Sequence, residues 1–299
     1  MLIRCEAVTK IYSNTETRAV DGISIEIERG EFVAVVGTSG SGKSTLLHIV
    51  GGIERPTSGK VIIDGTDIYT LPPDRLTVFR RRAIGFVFQR YNLIPNLSVW
   101  ENVALPLGLD NIKPKPGEIE ELLETLGIAD KADSIPSRLS GGQQQRAAIA
   151  RALVTKPHII LADEPTGSLD SRTGMGVMLT LASLNERFAQ TIVVVTHNEE
   201  LAQTASRRIR IEDGRVVSDS KAETDKGFTD VSNSTPDISH APDTNHTSKT
   251  SSAPDTSSAP NTSSAPDTSS ALGTSSAPDQ NSAPSPTSTH DQSKGGEHT

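Results

Sequence analysis

Gly37-Thr38-Ser39-Gly40-Ser41-Gly42-Lys43-Ser44-Thr45 is the stretch on which the fold turns. It follows the apolar run 32–36, precedes the apolar segment 46–50, and fits G-x-x-x-x-G-K-[ST] in a strand–loop–helix setting. A polyphosphate needs several backbone N–H groups converging on it. Gly37, Gly40 and Gly42 let the main chain turn tightly and approach without an intervening Cβ. A helix beginning near Lys43 points its free N–H groups and positive dipole end at the anion. Lys43 adds a full charge near the outer phosphates, and the Ser44 hydroxyl is suited to ligate Mg²⁺.

Outward from this loop the chain reads as alternating strands and helices. Residues 2–12 read as an edge strand. Ile23, Ile25 and Ile27 alternate with Ser24, Glu26 and Glu28 at the period of a half-buried strand. Strands are expected at 60–63, 84–88, 159–162 and 191–196, and helices at 74–82, 117–126, 140–154 and 171–188. A closing hairpin, 208–212 with 215–218, turns on Asp213-Gly214. The proline-punctuated stretch after Tyr91 reads as an inserted, mostly helical subdomain, about residues 91–155. The alternation predicts an α/β fold with a mainly parallel sheet and an antiparallel addition built from the first strands.

The remaining chemistry falls at strand ends, where ligands sit in open α/β sheets. Asp163 and Glu164 close a buried strand. Asp163 is suited to the Mg²⁺ shell and Glu164 to polarising a water for attack on a γ-phosphate. Gln89 ends the strand 84–88, and its carbonyl oxygen can reach the same metal and water. His197 ends the strand 191–196, where an imidazole can donate to a γ-phosphate oxygen. The ring of Tyr12 can stack on adenine or serve the core or rim. Leu139-Ser140-Gly141-Gly142-Gln143-Gln144-Gln145-Arg146 pairs an N-cap serine with two glycines that strip the start of a helix. A bare helix tip is a second anion site, and it makes sense if it serves the nucleotide held by another copy of the domain.

Composition narrows the rest. The formal charge of −8 is concentrated beyond residue 220, where ten acids face four bases. Neither part carries the basic excess of a nucleic-acid binder, so no nucleic-acid partner is expected. Cys5, the only cysteine, excludes an internal disulfide and suits a reducing compartment as a packing residue. No apolar run approaches the ~20 residues of a membrane span, and the first residues lack a signal-peptide pattern. From residue 221 to 299 the chain is dominated by Ser, Thr, Ala, Pro and Asp. Ala-Pro, once Ala-Leu, recurs at Ala253, Ala259, Ala265, Ala271, Ala277 and Ala283. Alanine alone cannot supply the inward burial of a β-helix, so a disordered low-complexity tail is expected.

In their order these stations resemble the nucleotide-binding subunit of ATP-binding-cassette (ABC) transporters over residues 1–220. They correspond to Walker A at Gly37–Thr45, the Q-loop at Gln89, the signature Leu139–Gln143, Walker B with Glu164, the D-loop Ser168-Leu169-Asp170 and the H-loop at His197. Residues 92–103, Asn-Leu-Ile-Pro-Asn-Leu-Ser-Val-Trp-Glu-Asn-Val, and Gln143-Gln144-Gln145-Arg146 are similar to the lipoprotein-release and macrolide-efflux branch. Two features depart from it: Ser168 stands where that branch commonly has Asn, and Lys113-Pro114-Lys115-Pro116 interrupts a region usually more helical. The resemblance implies a P-loop NTPase cassette with a RecA-like core, an antiparallel β subdomain and an inserted helical subdomain. It also implies a head-to-tail homodimer with two ATP molecules, each between Walker A of one copy and Ser140–Gln143 of the other. Asp170 joins that shared site, with ATP and Mg²⁺ bound. A separate integral-membrane permease is the implied partner, moving a lipophilic, peptide or lipoprotein substrate. The chain is then cytoplasmic and peripheral on the inner face of the cell membrane. The alternative within the family is an ATPase that controls a membrane partner's conformation without moving solute.

Overall fold

Continuous β-branched runs become strands buried on both faces, and they carry the central sheet. In this computed structural model, residues 1–13 and 16–221 are described. They lie in the first of the two units into which the chain divides, Met1–Val231. The expected disorder of the tail, its hexapeptide repeat and the domain boundary near 220 lie outside them. The chain begins with β1 (Ile3–Tyr12) and β2 (Thr17–Ile27), followed by β3 (Phe32–Val36) and helix α1 (Lys43–Val50). Next come β4 (Ser58–Ile63), β5 (Thr66–Asp67), α2 (Pro73–Ala83) and β6 (Ile84–Phe88). Helices α3 (Val99–Leu109), α4 (Glu118–Thr125) and α5 (Gly141–Leu153) separate β6 from β7 (Ile159–Asp163). The described chain ends with α6 (Ser171–Phe188), β8 (Thr191–Thr196), the short α7 (Glu199–Ala202), β9 (Arg207–Glu212) and β10 (Arg215–Lys221).

Two sheets result. A six-stranded sheet has the order β10-β9-β3-β8-β7-β6, parallel except for β10, and a four-stranded antiparallel sheet has the order β2-β1-β4-β5. Leu46, Leu47, Ile49 and Val50 of α1 pack with Ile3, Ile25 and Ile63 of the smaller sheet and with Val33, Val35 and Leu161 of the larger. The opposite face of the larger sheet, through Ala34, Val36, Ile160 and Val194, joins Ile149 of α5 and Val177 and Leu181 of α6 in a second core. Among the described residues, no helix is long and apolar enough to cross a membrane.

One expectation is corrected. β1 is an interior strand, paired on one side with β2 and on the other with β4. Its inward alternation at Ile3 and Cys5 resumes at Val8 only after a bulge at Ala7, whose φ is 47°. Side-chain period reports which face of a strand is buried, not how many strands pair alongside it. Helix α3, absent from the individually expected helices, runs uninterrupted through Pro106. A Ser98–Glu101 capping box starts it, and buried Val99, Val103 and Leu107 recur at a four-residue spacing along one face. Those terms outweigh the hydrogen bond that the proline removes.

Candidate active site at the carboxyl edge of the parallel sheet

Strand register brings the stations together. Val36 pairs with Thr196, Val195 with Asp163, and Asp163 with Phe88. The residues that follow these strand ends, Gly37, His197, Glu164 and Gln89, therefore share one edge of the sheet. The loop between β3 and α1 needs its glycines. Gly42 has φ 98°, and a Cβ there would stand 2.0 Å from the Ala19 carbonyl oxygen. A Cβ on Gly37 would stand 2.1 Å from the Ile211 carbonyl oxygen. The neighbouring strands are thus packed against the loop as closely as backbone permits.

Lys43 opens α1 and is only 5% exposed. Its ammonium donates to the Thr38 carbonyl at 2.6 Å and lies 3.4 Å from Ser41 Oγ. Burial draws its pKa down, against the opposing pull of Glu164 and Asp163. A buried cation whose contacts are neutral oxygens fits a site completed by an anion. Across the loop, Ser44 Oγ donates to Asp163 Oδ1 at 2.7 Å, and His48 Nε2 lies 3.3 Å from Asp163 Oδ2. Burial pushes the Asp163 carboxyl up, but the bonds from His48 and Ser44, with the charge of Lys43, leave it below the usual carboxylate range. A hydroxyl and a charged carboxylate in contact beside a phosphate-sized cradle are oxygen donors of the kind Mg²⁺ takes, so the residues present fit that ion.

Glu164 has φ 47°, and its amide donates to the Val195 carbonyl at 3.0 Å. His197 Nδ1 lies 2.9 Å from both carboxylate oxygens of Glu164. The two residues expected to address a water and a phosphate therefore hold each other here. The Gln89 side chain packs on Gly167, where a Cβ would come within 2.6 Å of its Nε2. Ser168 Oγ donates to the Gln89 carbonyl at 2.9 Å and lies 3.0 Å from Tyr91 Oη. Tyr12 donates its hydroxyl to Glu54 at 2.7 Å, with Lys10 over its ring at 5.2 Å from the centroid.

The remaining predicted stretch caps α5. Gln143 N donates to Ser140 Oγ at 3.3 Å, and Ser140 N donates to Gln143 Oε1 at 2.9 Å. Gly141 lies against Leu169 and Tyr91, and Gly142 against Thr173. Asp170 caps α6 by accepting from Thr173 N at 3.0 Å. This group sits beside the loop that leads into α6. Three residues of this region went unread in the sequence: His48 on Asp163, Glu54 on Tyr12, and Tyr91 beside Ser168 and Gly141. Only His48 left a signal, standing four residues after Ser44 on the same helix face.

A P-loop cradle, a carboxylate at the end of β7 and a parallel sheet sandwiching α1 against an antiparallel one define an ABC-type ATPase. The family model described as ABC transporter matches residues 20–167. A lipoprotein-releasing system ATP-binding protein LolD from Geobacter metallireducens is 46% identical over 222 residues, covering 73% of this chain and 99% of that protein. An uncharacterized ABC transporter ATP-binding protein of Thermotoga maritima is 48% identical, with 70% of this chain and 91% of that one covered. A macrolide export ATP-binding/permease protein MacB from Hyphomonas neptunium is 46% identical over 226 residues, and the chain spans 34% of its length. Among solved structures, the dimeric post-hydrolysis state of the ATP-binding cassette MJ0796 bound to ADP and Pi matches with TM-score 0.68 and 44% identity, covering 74% of this chain and 98% of that one. The chain belongs to the ABC transporter family, as an ATP-binding domain.

Proposed function

We propose that this chain binds ATP with Mg²⁺ in the Gly37–Thr45 loop, pairs head to tail with a second copy, and hydrolyses the nucleotide to drive a separate membrane permease. The observation that carries this reading is the shared sheet edge where Lys43, Ser44, Asp163, Glu164, His197 and Gln89 converge. The metal, when bound, neutralises charge developing on the β- and γ-phosphate oxygens. Lys43 turns its ammonium from the Thr38 carbonyl to the outer phosphates. Ser44 and Asp163 supply oxygens for the metal. Glu164, released from His197, orients a water and accepts its proton. His197, freed in the same movement, donates to the γ-phosphate oxygens, while Gln89 faces the same water and metal. Tyr12 offers a ring face to adenine.

The glycine-bared tip of α5, capped by Ser140 and Gln143, completes the site of the opposite copy. Asp170 lines the same junction. The MJ0796 cassette, similar over nearly its whole length, was solved as a dimer with ADP and Pi, which supports this pairing. Relatives named for lipoprotein release and macrolide export support a permease that extracts or exports a lipophilic, peptide or lipoprotein substrate. With such a partner the chain sits at the cytoplasmic face of the cell membrane. The test is affinity purification of the full-length chain from its own membranes, followed by reconstitution with the co-purifying polypeptide. ATP-dependent movement of a reporter lipopeptide across the vesicle is the expected result. Stimulated ATPase with no movement of any candidate would favour an ATPase that only controls its partner's conformation.

A further inference from the structure

Asp163 is gripped from two sides by one helix. Ser44 and His48 stand four residues apart on α1, so both project from the same face toward the end of β7. Ser44 Oγ donates to Oδ1 at 2.7 Å, and His48 Nε2 reaches Oδ2 at 3.3 Å. The imidazole is itself braced: its ring lies 5.9 Å from that of Phe86, which stacks on Phe88 at 4.7 Å. Phe86 and Phe88 are in β6, the strand paired with β7. His48 thus spans α1, β6 and β7 at the one carboxylate suited to the metal shell.

We propose that His48 is a positioning residue for the metal, fixing the plane of the Asp163 carboxylate through Oδ2 while Ser44 holds Oδ1. The proposal rests on the reading of Asp163 as a Mg²⁺-shell residue. A carboxylate hydrogen-bonded on one oxygen alone can rotate about its Cβ–Cγ bond, and each rotation moves the other oxygen out of the position a small, geometrically strict cation demands. Partners that orient a metal ligand set metal affinity without touching the metal, and their loss typically costs 10–100-fold. A plain packing role for His48 between α1 and β6 makes a different prediction: an apolar side chain of similar size would serve as well.

Mn²⁺ titrated by electron paramagnetic resonance into the full-length chain, saturated with a non-hydrolysable ATP analogue, separates the two. His48→Leu is expected to weaken Mn²⁺ binding by about 10–100-fold. His48→Gln, which keeps an N–H at the reach of Nε2, is expected to recover most of it. Affinity for the same nucleotide in EDTA is expected to be unchanged in both variants. Unchanged Mn²⁺ affinity in His48→Leu, alongside a clear loss in Asp163→Asn, would overturn the role of His48 and leave that of Asp163 standing. No change in either variant would overturn both. A parallel loss of metal-free nucleotide binding in His48→Leu would mark His48 as packing and also overturn the proposal.

Discussion

Glu164 and Lys43 are each held by a neighbour that the proposed cycle exchanges for nucleotide. Glu164 bonds His197 through both oxygens, and Lys43 spends its ammonium on a loop carbonyl. Glu164→Gln keeps the shape of the pair and removes the proton acceptor. ATP binding should persist while hydrolysis falls by roughly 10²–10⁴, read as single-turnover phosphate release; turnover near wild type would remove Glu164 from the chemistry. Lys43→Ala deletes a charge-assisted contact of about 1.5–3 kcal/mol. The nucleotide dissociation constant should then rise about 10- to 100-fold by calorimetry. Both residues stood out in the sequence because motif spacing reports which residue types suit a phosphate. The Glu164–His197 contact did not, since it joins the ends of β7 and β8.

Helix α5 shows what one element contributes. Its first turn carries two glycines that let Leu169, Tyr91 and Thr173 pack close, yet such a turn is a weak helix start. The reciprocal Ser140–Gln143 box compensates by satisfying two end donors. Ser140→Ala should cost about 1 kcal/mol in urea unfolding. In a Glu164→Gln background it should also weaken ATP-driven dimer formation, measured by size-exclusion chromatography with light scattering. A dimer as tight as the parent's would separate the cap from the shared site. This helix and α6 were readable to within a residue or two because cap chemistry and apolar period agree. Helix α3 was not, because Pro106 outweighs a capping box when neither is weighed against burial of Val99, Val103 and Leu107.

Across the whole molecule, the far edge of the large sheet is tied down away from the site. Arg207 bridges Asp219 of β10 and Glu31 before β3, and also donates to the Glu26 carbonyl. The bond from Arg207 is the leading reason the Asp219 carboxyl lies below its usual 3.8. A depressed carboxyl stabilises the fold above its unfolded pKa and loses that contribution as pH falls through the folded one. Taking the chain from about pH 5 to below 3.8 should therefore cost wild type more unfolding free energy than Asp219→Asn. Equal losses by urea titration would show that the bridge is screened away. Truncation after Lys221 keeps this bridge and every station of the site. Its steady-state ATPase should match the full chain, and a loss of activity would give residues 222–299 a part in the cycle.

Local pattern alone determined the class of this protein. Glycine spacing before Lys43, apolar runs ending at Asp163 and Thr196, and a serine cap before Gly141-Gly142 each encode backbone conformation or burial within a dozen residues. Tertiary structure alone decided what depends on register between distant segments. It set β1 between two strands, Glu164 on His197, Tyr91 beside Ser168 and Gly141, and His48 on the far oxygen of Asp163. The physical reason is that partners between distant segments are chosen by strand order and by how helices and loops pack on the sheets, and neither leaves a periodic mark in the chain.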